Sequence, residues 1–248
     1  MTLEQFFKEH PKTAIAFSGG TDSSYLLYMA KQYAEETVAV YMKTPFQPEF
    51  ELEDARHFCT DHDIPIIIME YDILQLEPVA ANPADRCYYC KMALFTQIRS
   101  AADEKGFPCV ADGTNASDDA ADRPGMRALK ELGIFSPLRL SGITKDQVRD
   151  KSRKLGLFTA DKPAYACLAT RIPTGTRITA EILKKVEQAE TALMELGFYD
   201  FRVRVLENGA RLEMKKEQIP LLLENKDDIF SLLQPLFGEI YLDFEARG

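Results

Sequence analysis

Short apolar runs alternate along the chain with longer segments in which apolar residues recur every three or four positions. A short apolar run bounded by turn residues predicts a buried strand, and the longer spacing predicts a helix with one apolar face. The strands are predicted at 13–18, 37–43, 65–72 and 109–115. The helices are predicted at 22–34, 50–63, 87–105, 123–133 and 144–156, with 135–140 extended. This alternation predicts an α/β fold, with a parallel sheet covered by helices on both faces.

The pattern changes after residue 156, where a loop rich in Pro, Thr and Ala at 158–179 leads into a predicted helix at 180–198. Asn208 and Gly209 then form a strong hairpin turn signal. The other predicted elements are strands at 201–206 and 210–215, a helix at 217–237 and a strand at 239–244. We therefore expect two domains, 1–175 and 176–248, the second a small α+β domain. A domain this small is expected to pack on the first or to assemble with copies of itself.

The charge balance of the 248-residue chain is acidic, with 30 Lys and Arg against 39 Asp and Glu and a formal net charge of −9. An acidic chain is a poor generic binder of nucleic acid, so we expect a small-molecule substrate. No run approaches the roughly 18 apolar residues of a membrane span, and the first residues lack a secretory signal. A cytoplasmic protein without a membrane partner is expected. The five cysteines, an odd number, argue against a disulfide framework.

A glycine pair stands where the first predicted strand meets the first predicted helix, in "SGGTDS". Gly19 and Gly20 let backbone amides converge on an anion, and the helix N-terminus behind them favours negative charge. The polar side chains around the pair are Ser18, Thr21, Asp22 and Ser23. Asp22 offers an oxygen ligand for Mg²⁺. A capped glycine-rich turn is the simpler interpretation, but the full string between strand and helix favours a pyrophosphate site.

Three cysteines are candidates for chemistry: Cys87 and Cys90 in "DRCYYCK", and Cys167 in "ACLATRIPTG". The pair can be packing residues, a redox dithiol or half of a zinc site completed by a histidine or another cysteine. Cys167 lies in a loop beside arginines and is a candidate nucleophile, with an inert packing residue as the alternative. Cys59 and Cys109 lie within apolar patterns and are expected to be core residues.

The predicted strand "FRVRVL" carries two arginines on one side. Arg202 and Arg204 project to one face, and Val203 and Val205 project to the other. An arginine-lined face suits a phosphate monoester. A solvent-exposed hairpin face explains the same pattern equally well.

The string "SGGTDS" resembles the signature of the PP-loop ATP pyrophosphatases, which have an adenine nucleotide alpha hydrolase-like fold and cut ATP between the α and β phosphates. This resemblance implies that Met42, Gly113 and Asn115, near strand ends, lie near the nucleotide. Together with "DRCYYCK", "GTNASDD" and "ACLATRIPTG", the chain resembles the LarE family. These are ATP-dependent sulfur transferases that mature the nickel-pincer nucleotide cofactor of lactate racemase.

The LarE resemblance implies that a carboxylate of a nicotinate-derived mononucleotide is adenylated, with loss of pyrophosphate, and converted to a thiocarboxylate. In one branch the cysteine matching Cys167 gives up its sulfur. A second branch holds a [4Fe–4S] cluster on cysteines matching Cys87, Cys90 and Cys167, and the iron left open can hold a sulfide. All three cysteines are present, so the chain resembles the second branch. The family pattern also implies a sulfide donor as partner, a homo-oligomer (a hexamer) and substrate-phosphate contacts from Arg171, Arg202 and Arg204.

Three other functions share parts of this pattern. A tRNA thiolase uses the same loop and often a cluster. An NAD-synthetase-type amidating ligase uses the loop but leaves the three cysteines unexplained. A nucleotide-sensing protein would bind ATP without releasing pyrophosphate. The acidic charge and the lack of a recognisable RNA-binding domain favour the sulfur transferase acting on a small molecule.

Overall fold

The computed structural model describes residues 1–118, 124–245 and 247. These residues form two compact units. Unit 1 comprises Met1–Ile73 and Asp85–Lys162, and unit 2 comprises Leu74–Ala84 and Pro163–Gly248. The units are bounded at different residues from the predicted domains, 1–175 and 176–248, and that functional division stays a prediction. Arg123, where a helix is predicted to begin, and Asp119 of the "GTNASDD" motif lie outside the described residues.

Helices and strands alternate through unit 1 as the apolar pattern predicts. In chain order the elements of the whole chain are α1 (Leu3–Glu9), β1 (Lys12–Ala16), α2 (Thr21–Tyr33), β2 (Glu36–Lys43), α3 (Glu49–Asp61), β3 (Ile66–Glu70), α4 (Glu77–Ala80), α5 (Arg86–Glu104), β4 (Cys109–Ala111), α6 (Pro124–Glu131), α7 (Pro137–Leu140), α8 (Lys145–Lys154), α9 (Ala180–Glu195), β5 (Arg202–Leu206), β6 (Gly209–Glu213), α10 (Ile219–Glu224), α11 (Lys226–Phe237) and β7 (Glu239–Leu242). Short 3-10 turns lie at Ile73–Gln75, Phe158–Asp161, Leu168–Arg171 and Lys216–Gln218.

Four strands of unit 1 form a parallel sheet in the order β3-β2-β1-β4. Successive side chains of a strand point to opposite faces. Ile15 and Tyr41 therefore pack on one face with residues of α1, α2, α3 and α8. Ala14 and Val40 pack on the other face with residues of α5 and α6. The predicted parallel sheet with helices on both faces is confirmed, and its carboxyl edge is where such folds bind ligands.

The strand β4 is shorter than the predicted strand at 109–115 because the chain turns immediately after Ala111. The Asp112 carboxylate accepts hydrogen bonds from the Thr114 backbone N–H at 3.3 Å and from the Thr114 hydroxyl at 2.6 Å. Side chains of this kind stabilise turns in place of strand pairing. The early end of β4 puts Asp112, Gly113 and Asn115 in a loop at the carboxyl edge of the sheet.

The prediction that 135–140 is extended is wrong beyond its first residue. Phe135 is paired with Ala111 in parallel, as predicted for an extended segment. The helix α7 begins two residues later, at Pro137, and the Leu140 N–H donates to the Ser136 carbonyl at 2.9 Å. Proline fits the first position of a helix because its fixed φ is already helical and its missing N–H has no helical partner there.

The helix α1 has no counterpart among the predicted elements. Thr2 and Gln5 form a reciprocal capping box at its start, and Leu3, Phe6 and Phe7 bury its apolar face in the core of unit 1. The T-x-x-Q spacing that precedes two phenylalanines is a helix-start signal readable in the sequence.

Unit 2 contains a three-stranded sheet in the order β5-β6-β7, with β5 and β6 antiparallel and β6 and β7 parallel. The predicted hairpin around Asn208 and Gly209 is confirmed. A side chain at Gly209 would overlap the Glu239 carbonyl oxygen, so β7 can lie against β6 only because this residue is glycine. Val203 and Leu212 pack with α9 and α11 to form the core of the unit.

Two features of unit 2 differ from the sequence expectation. The helix predicted at 217–237 is divided at Asn225, whose side-chain amide donates to the Leu221 carbonyl at 2.9 Å and ends α10. The segment Leu74–Ala84, distant in sequence, belongs to this unit. Its Asn82 amide donates to the Pro173 carbonyl at 2.8 Å. Among the described residues, no helix is long and apolar enough to cross a membrane.

Candidate active site

The glycine loop joins β1 to α2 at the carboxyl edge of the unit 1 sheet. Gly19 has a φ of +72°, and a Cβ atom there would lie 3.1 Å from the Glu51 carbonyl oxygen. Glycine is required at this position because other residues are strained in the left-handed region. Gly20 follows in an extended conformation and immediately precedes Thr21, the first residue of α2. The backbone amides at the start of α2 are thus left without side chains in front of them.

Hydroxyl groups hold the two sides of this loop together. The Ser18 backbone N–H donates to Ser23 Oγ at 3.3 Å, and the two serine hydroxyls lie 3.1 Å apart. The Ser23 hydroxyl is also 3.1 Å from the Gly20 carbonyl oxygen. The Thr21 hydroxyl donates instead to the Thr159 carbonyl at 2.8 Å and is buried. Ser18 and Ser23 therefore shape the loop, whereas Thr21 ties it to the 3-10 turn at Phe158–Asp161.

A cavity of about 330 Å³ opens beside this loop. It lies beyond the carboxyl ends of β1 and β4, the ligand position typical of an open parallel sheet. Its lining residues are Ala16, Ser18, Gly20, Asp22, Ser23, Lys91, Phe95, Asp112, Gly113, Thr114 and Asp118. The structure thus brings the glycine loop together with Gly113, as predicted, and adds side chains from α5 that the sequence did not single out.

Gly113 marks the close approach of the β4 loop to α2. A Cβ atom at Gly113 would lie 2.8 Å from the Ser23 backbone nitrogen, a distance that real Cβ atoms do not tolerate. The obstructing atom belongs to the backbone, so it has no rotamer that could move it away. Gly113 therefore lets two walls of the cavity meet.

Asp22 lies on α2 at the cavity, with its carboxylate oxygens paired to protein donors. Lys145 Nζ lies 2.5 Å from one oxygen, and the Asn115 side-chain amide donates to the other at 3.4 Å. The structure thereby brings together Asp22 and Asn115, both predicted near the nucleotide. A divalent cation on Asp22 would have to displace the Lys145 ammonium group. Lys145 was not singled out in the sequence, because an isolated lysine at a helix start carries no motif.

A second lysine reaches the glycine loop itself. Lys162 Nζ lies 3.4 Å from the Gly19 carbonyl oxygen and 2.5 Å from the Asp54 carboxylate. Met42 was also predicted near the nucleotide, and its side chain is buried in the sheet face that packs against α5. A nucleotide contact by Met42 stays a prediction.

Cys87 and Cys90 lie in the first turns of α5, three residues apart and therefore on neighbouring positions of one helix face. Cys87 is exposed and Cys90 is half-buried. Cys87 lines a second cavity of unit 1, of about 370 Å³. The other lining residues of this cavity are Lys91, Thr114, Asp118, Pro124, Gly125 and Met126. The pair is thus not a packing pair, since one thiol opens to solvent and borders a cavity.

The other two cysteines of unit 1 are core residues, as predicted. Cys59 and Cys109 are buried in the same apolar cluster. Burial raises the pKa of the Cys59 thiol to about 12. Burial also raises the pKa of the Cys109 thiol, partly offset by a hydrogen bond with Thr13. Both residues stay protonated and unreactive near neutral pH.

Cys167 lies in unit 2, directly before the 3-10 turn Leu168–Arg171, and is half-buried. The loop that carries it is held by Arg171, which is fully buried. One guanidinium nitrogen of Arg171 donates to the Ala166 carbonyl at 2.6 Å and to the Cys167 carbonyl at 3.4 Å. Arg171 was predicted as a substrate-phosphate residue, and the structure places its side chain inside unit 2 among protein acceptors.

Glu190 of α9 is the acceptor that balances Arg171. Its two carboxylate oxygens accept from Nε and Nη2 of Arg171, each at 2.9 Å, in a bidentate pair. They also accept from the Tyr165 hydroxyl at 2.5 Å and from the Val203 backbone N–H at 2.9 Å. Burial lowers the pKa of Arg171, but hydrogen bonds and charge from Glu190 raise it more, so the net shift is upward. Glu190 was not singled out from the sequence, because it is one of several glutamates in an amphipathic helix, although it is the one that is buried.

The arginines of β5 reach the same loop from the other side. Arg202 donates to the Ala164 carbonyl and, at 2.5 Å, to the Phe201 carbonyl. Arg204 donates to the Thr170 carbonyl and to the Glu213 carboxylate, the latter at 3.0 Å. Burial, together with the nearby positive charges of Arg171 and Arg247, lowers the pKa of Arg202 to about 10. The alternative interpretation of a solvent-exposed face is wrong for Arg202, which is buried because the Cys167 loop covers it.

Two known proteins are similar to this chain over nearly its whole length. A pyridinium-3,5-bisthiocarboxylic acid mononucleotide synthase of Lactiplantibacillus plantarum is 30% identical over 249 residues, which cover 100% of this chain and 90% of that protein. The chain belongs to the LarE family. An uncharacterized protein of Synechocystis sp. is 36% identical over 99% of this chain and 92% of its own length. No family model matches the chain.

More distant relatives extend the LarE family assignment to a superfamily. A tRNA-specific 2-thiouridylase of Dichelobacter nodosus is 28% identical over 184 residues, 60% of this chain and 49% of that protein. The parallel sheet with its glycine loop is accordingly the α/β fold of the PP-loop superfamily. The named relatives are sulfur transferases, and this LarE-family chain is an enzyme of that class.

The cysteines of this LarE-family enzyme fit an iron–sulfur cluster in part. Cys87 and Cys90 supply two thiols on one helix face, and cysteine thiolates are the usual ligands of such a cluster. Cys167 belongs to unit 2. Over residues 1–118, 124–245 and 247, no group of three or more His, Cys, Asp or Glu side chains is arranged to hold a metal ion. The three-cysteine ligand set, and with it the second branch of the family, stays a prediction.

Proposed function

We propose that this LarE-family enzyme uses ATP to adenylate a carboxylate of a nicotinate-derived mononucleotide and then replaces a carboxylate oxygen with sulfur. The observation that carries the proposal is the cavity of about 330 Å³ bounded by the glycine loop and the β4 loop. The cavity combines side-chain-free amides at a helix start with an acidic residue, Asp22, which suits a magnesium-bound polyphosphate. The name of the relative from Lactiplantibacillus plantarum supports a pyridinium carboxylate as acceptor.

Adenylation is needed because a carboxylate oxygen is a poor leaving group. A carboxylate oxygen of the substrate attacks the α-phosphorus of ATP, and the bond from that phosphorus to the bridging oxygen breaks. Pyrophosphate leaves with the electron pair. The amides at Gly20 and Thr21 and the hydroxyls of Ser18 and Ser23 would bind the departing pyrophosphate, with Mg²⁺ on Asp22.

Sulfur transfer follows at the activated acyl group. A sulfur nucleophile attacks the acyl carbon, and the carbon–oxygen bond breaks as AMP departs with its electron pair. The product is a thiocarboxylate. Cys87, Cys90 and Cys167 would hold a [4Fe–4S] cluster, which, when bound, supplies an iron able to bind an external sulfide.

The arginines of unit 2 divide into two roles in this proposal. Arg171 and Arg202 direct their donors to carbonyl groups of the Cys167 loop and hold that loop in place. The Arg204 side chain keeps 31% of its surface exposed and is the best placed of the three to bind a substrate phosphate. A cytoplasmic location, a homo-oligomer and a sulfide donor as partner complete the proposal.

The test is a coupled assay that measures pyrophosphate and thiocarboxylate from ATP, Mg²⁺, sulfide and a carboxylated nicotinate mononucleotide. Wild-type protein should form both. Cys167→Ala should still release pyrophosphate but form no thiocarboxylate, because sulfur transfer needs Cys167 and adenylation does not. Cys59→Ala, which alters a core cysteine, is the matched control and should form both products. Thiocarboxylate formation by Cys167→Ala at the wild-type rate would reject its role.

Cluster content is tested separately by quantifying iron and acid-labile sulfide in anaerobically purified protein. Three-cysteine ligation of a [4Fe–4S] cluster predicts a brown protein with about four iron and four sulfide per chain. A colourless protein that contains zinc would contradict the cluster while leaving the adenylation step untouched.

A tRNA acceptor is the second candidate, favoured by the relationship to tRNA-specific 2-thiouridylases over 60% of the chain. The net charge of −9 argues against it, because tRNA binding depends on basic surface. Affinity for tRNA that falls steeply with added salt, together with tRNA-dependent pyrophosphate release, would favour this function over the mononucleotide.

A further inference from the structure

We propose that Lys91 is a catalytic residue of the adenylation step, one that neutralises the negative charge where the substrate carboxylate meets the α-phosphate of ATP. The proposal rests on the proposed function and adds to it the lysine that ends the string "DRCYYCK", a residue to which the sequence assigned no role. Lys91 lies on α5, one residue after Cys90 and four after Cys87.

The first observation is that Lys91 borders both cavities of unit 1. The cavity at the glycine loop and the cavity at Cys87 share the lining residues Lys91, Thr114 and Asp118. The substrate carboxylate must be reached first by ATP and then, as the acyl-adenylate, by the sulfur source. The shared wall of the two cavities is the place in unit 1 that meets both demands, and Lys91 is the cation of that wall.

The second observation is that the backbone leaves room for Lys91 at this position. Its side chain passes over Gly125, near the start of α6. A Cβ atom at Gly125 would lie 3.0 Å from Cδ and 3.2 Å from Cε of Lys91. The Lys91 side chain therefore occupies the space into which a side chain at position 125 would extend. On its other side, Nζ lies 6.0 Å from the centre of the Phe95 ring, a further lining residue of the glycine-loop cavity.

The third observation concerns charge. The other two lysines near the glycine loop are in ion pairs, Lys145 with Asp22 and Lys162 with Asp54. Within the part of the chain that the structure describes, Lys91 forms no such pair with a carboxylate. None of the described carboxylates therefore competes with a ligand for its charge.

These observations assign Lys91 a defined role in the reaction. A carboxylate that approaches a triphosphate is repelled, and negative charge grows on the non-bridging oxygens of the α-phosphate as the new bond forms. A fixed ammonium group in a partly closed site offsets both effects without reorganisation. Lys91 exchanges no proton: the electron pair of the broken phosphorus–oxygen bond leaves with pyrophosphate.

The test compares Lys91→Met and Lys91→Arg with Lys130→Met, an exposed lysine of α6, in the pyrophosphate-release assay. Loss of one preorganised electrostatic group costs about 100- to 1,000-fold in kcat. Lys91→Met should therefore lose about 100-fold or more in kcat for pyrophosphate release. Lys91→Arg should recover part of the loss, and Lys130→Met should match wild type. Isothermal titration with ATP should give Kd values within about tenfold of wild type for every variant.

Gly125→Ala provides a second variant, which keeps the lysine but shifts its side chain slightly, because a Cβ atom there would lie 3.0 Å from Cδ of Lys91. Alanine favours the helix α6, and the atoms it would contact belong to a flexible side chain, so the protein should fold normally. The variant should lower the rate of pyrophosphate release, by less than Lys91→Met does. The double variant Gly125→Ala/Lys91→Met should be no slower than Lys91→Met alone, since both changes act on one interaction.

The outcomes separate the two proposals. If the wild type releases pyrophosphate and Lys91→Met releases it at the same rate, the role of Lys91 is overturned and the proposed function stands. A loss that appears only in the ATP Kd, with kcat unchanged, would make Lys91 a binding group and overturn its catalytic role. Absence of pyrophosphate release from the wild type with carboxylated mononucleotides would overturn the proposed function and the role of Lys91 with it.

Discussion

Replacing Glu190 with Gln removes one charge from the interior of unit 2 while keeping the size and shape of the side chain. Arg171 and Glu190 leave 0% and 1% of their side-chain surface exposed, so neither charge can turn to water. The glutamine oxygen can still accept one hydrogen bond from Tyr165 or Val203. Its NH₂ group, however, faces a guanidinium nitrogen that now lacks an acceptor. The variant therefore leaves Arg171 as a buried cation without its counter-charge.

The magnitude follows from the burial of the pair. Removing one partner of a buried ion pair costs about 3–5 kcal/mol, because the remaining charge is desolvated without compensation. Since domains are stable by only about 5–15 kcal/mol, the loss is a large share of the total. Arg171→Met should cost a similar amount, because it leaves the Glu190 carboxylate buried. The double variant Arg171→Met/Glu190→Gln removes both charges and should cost less than the two single changes added together, by about 2 kcal/mol or more.

The measurement is urea denaturation of wild type, the two single variants and the double variant, with far-ultraviolet circular dichroism as the signal. Glu195→Gln is the matched control, because Glu195 lies on the same helix α9 and is exposed. It should change the free energy of unfolding by no more than about 0.5 kcal/mol. Single-variant losses that add within about 0.5 kcal/mol in the double variant would refute the reasoning, since the two charges would then stabilise the unit independently.

Two further predictions concern unit 1. Gly113→Ala places a Cβ atom 2.8 Å from the Ser23 backbone nitrogen, so the glycine loop must move away. A displacement of about 1 Å should lower the steady-state rate of pyrophosphate release about 100-fold. A rate equal to that of the wild type would show that the two walls of the cavity can separate freely. Alkylation of the folded, iron-free protein with iodoacetamide at pH 8, followed by mass spectrometry, should modify Cys87, which is exposed, and spare Cys59, whose pKa burial raises to about 12. Modification of Cys59 as fast as that of Cys87 would contradict its place in the core. Denatured protein, in which both residues react, is the control.

Much of unit 1 could be predicted from the apolar pattern, because buried strands and amphipathic helices leave a direct record in the order of residues. The helix α5 was expected at 87–105 and lies at Arg86–Glu104. The hairpin of unit 2 was likewise legible, since Asn208 and Gly209 determine the turn locally. Errors arose where one local signal competed with another. Pro137 starts a helix in a stretch that was expected to be extended, and Asn225 ends one inside a continuous helical pattern.

The parts of the candidate site that lie in short, recognisable strings could be singled out from the sequence. The glycine loop, Asp22 and Gly113 line one cavity as expected. Site residues that are not part of a recognised pattern could not be found from the sequence. Lys145 has no motif around it, Lys91 ends a string that was singled out for its cysteines, and Glu190 interrupts an apolar helix face by one residue only. Their partners lie far away in sequence: Lys145 pairs with a residue 123 positions earlier.

By itself the sequence determined which segments are strands and helices, where a backbone can approach an anion and which cysteines are free of the apolar pattern. These properties depend on neighbours within a few residues, through φ, hydrogen bonding and periodicity. Only the tertiary structure decided that Arg171 and Arg202, expected at a phosphate, hold the Cys167 loop, and that Lys91 stands between two cavities. Such roles depend on which distant groups share a buried volume, because a charge there must find its partner across the fold rather than along the chain.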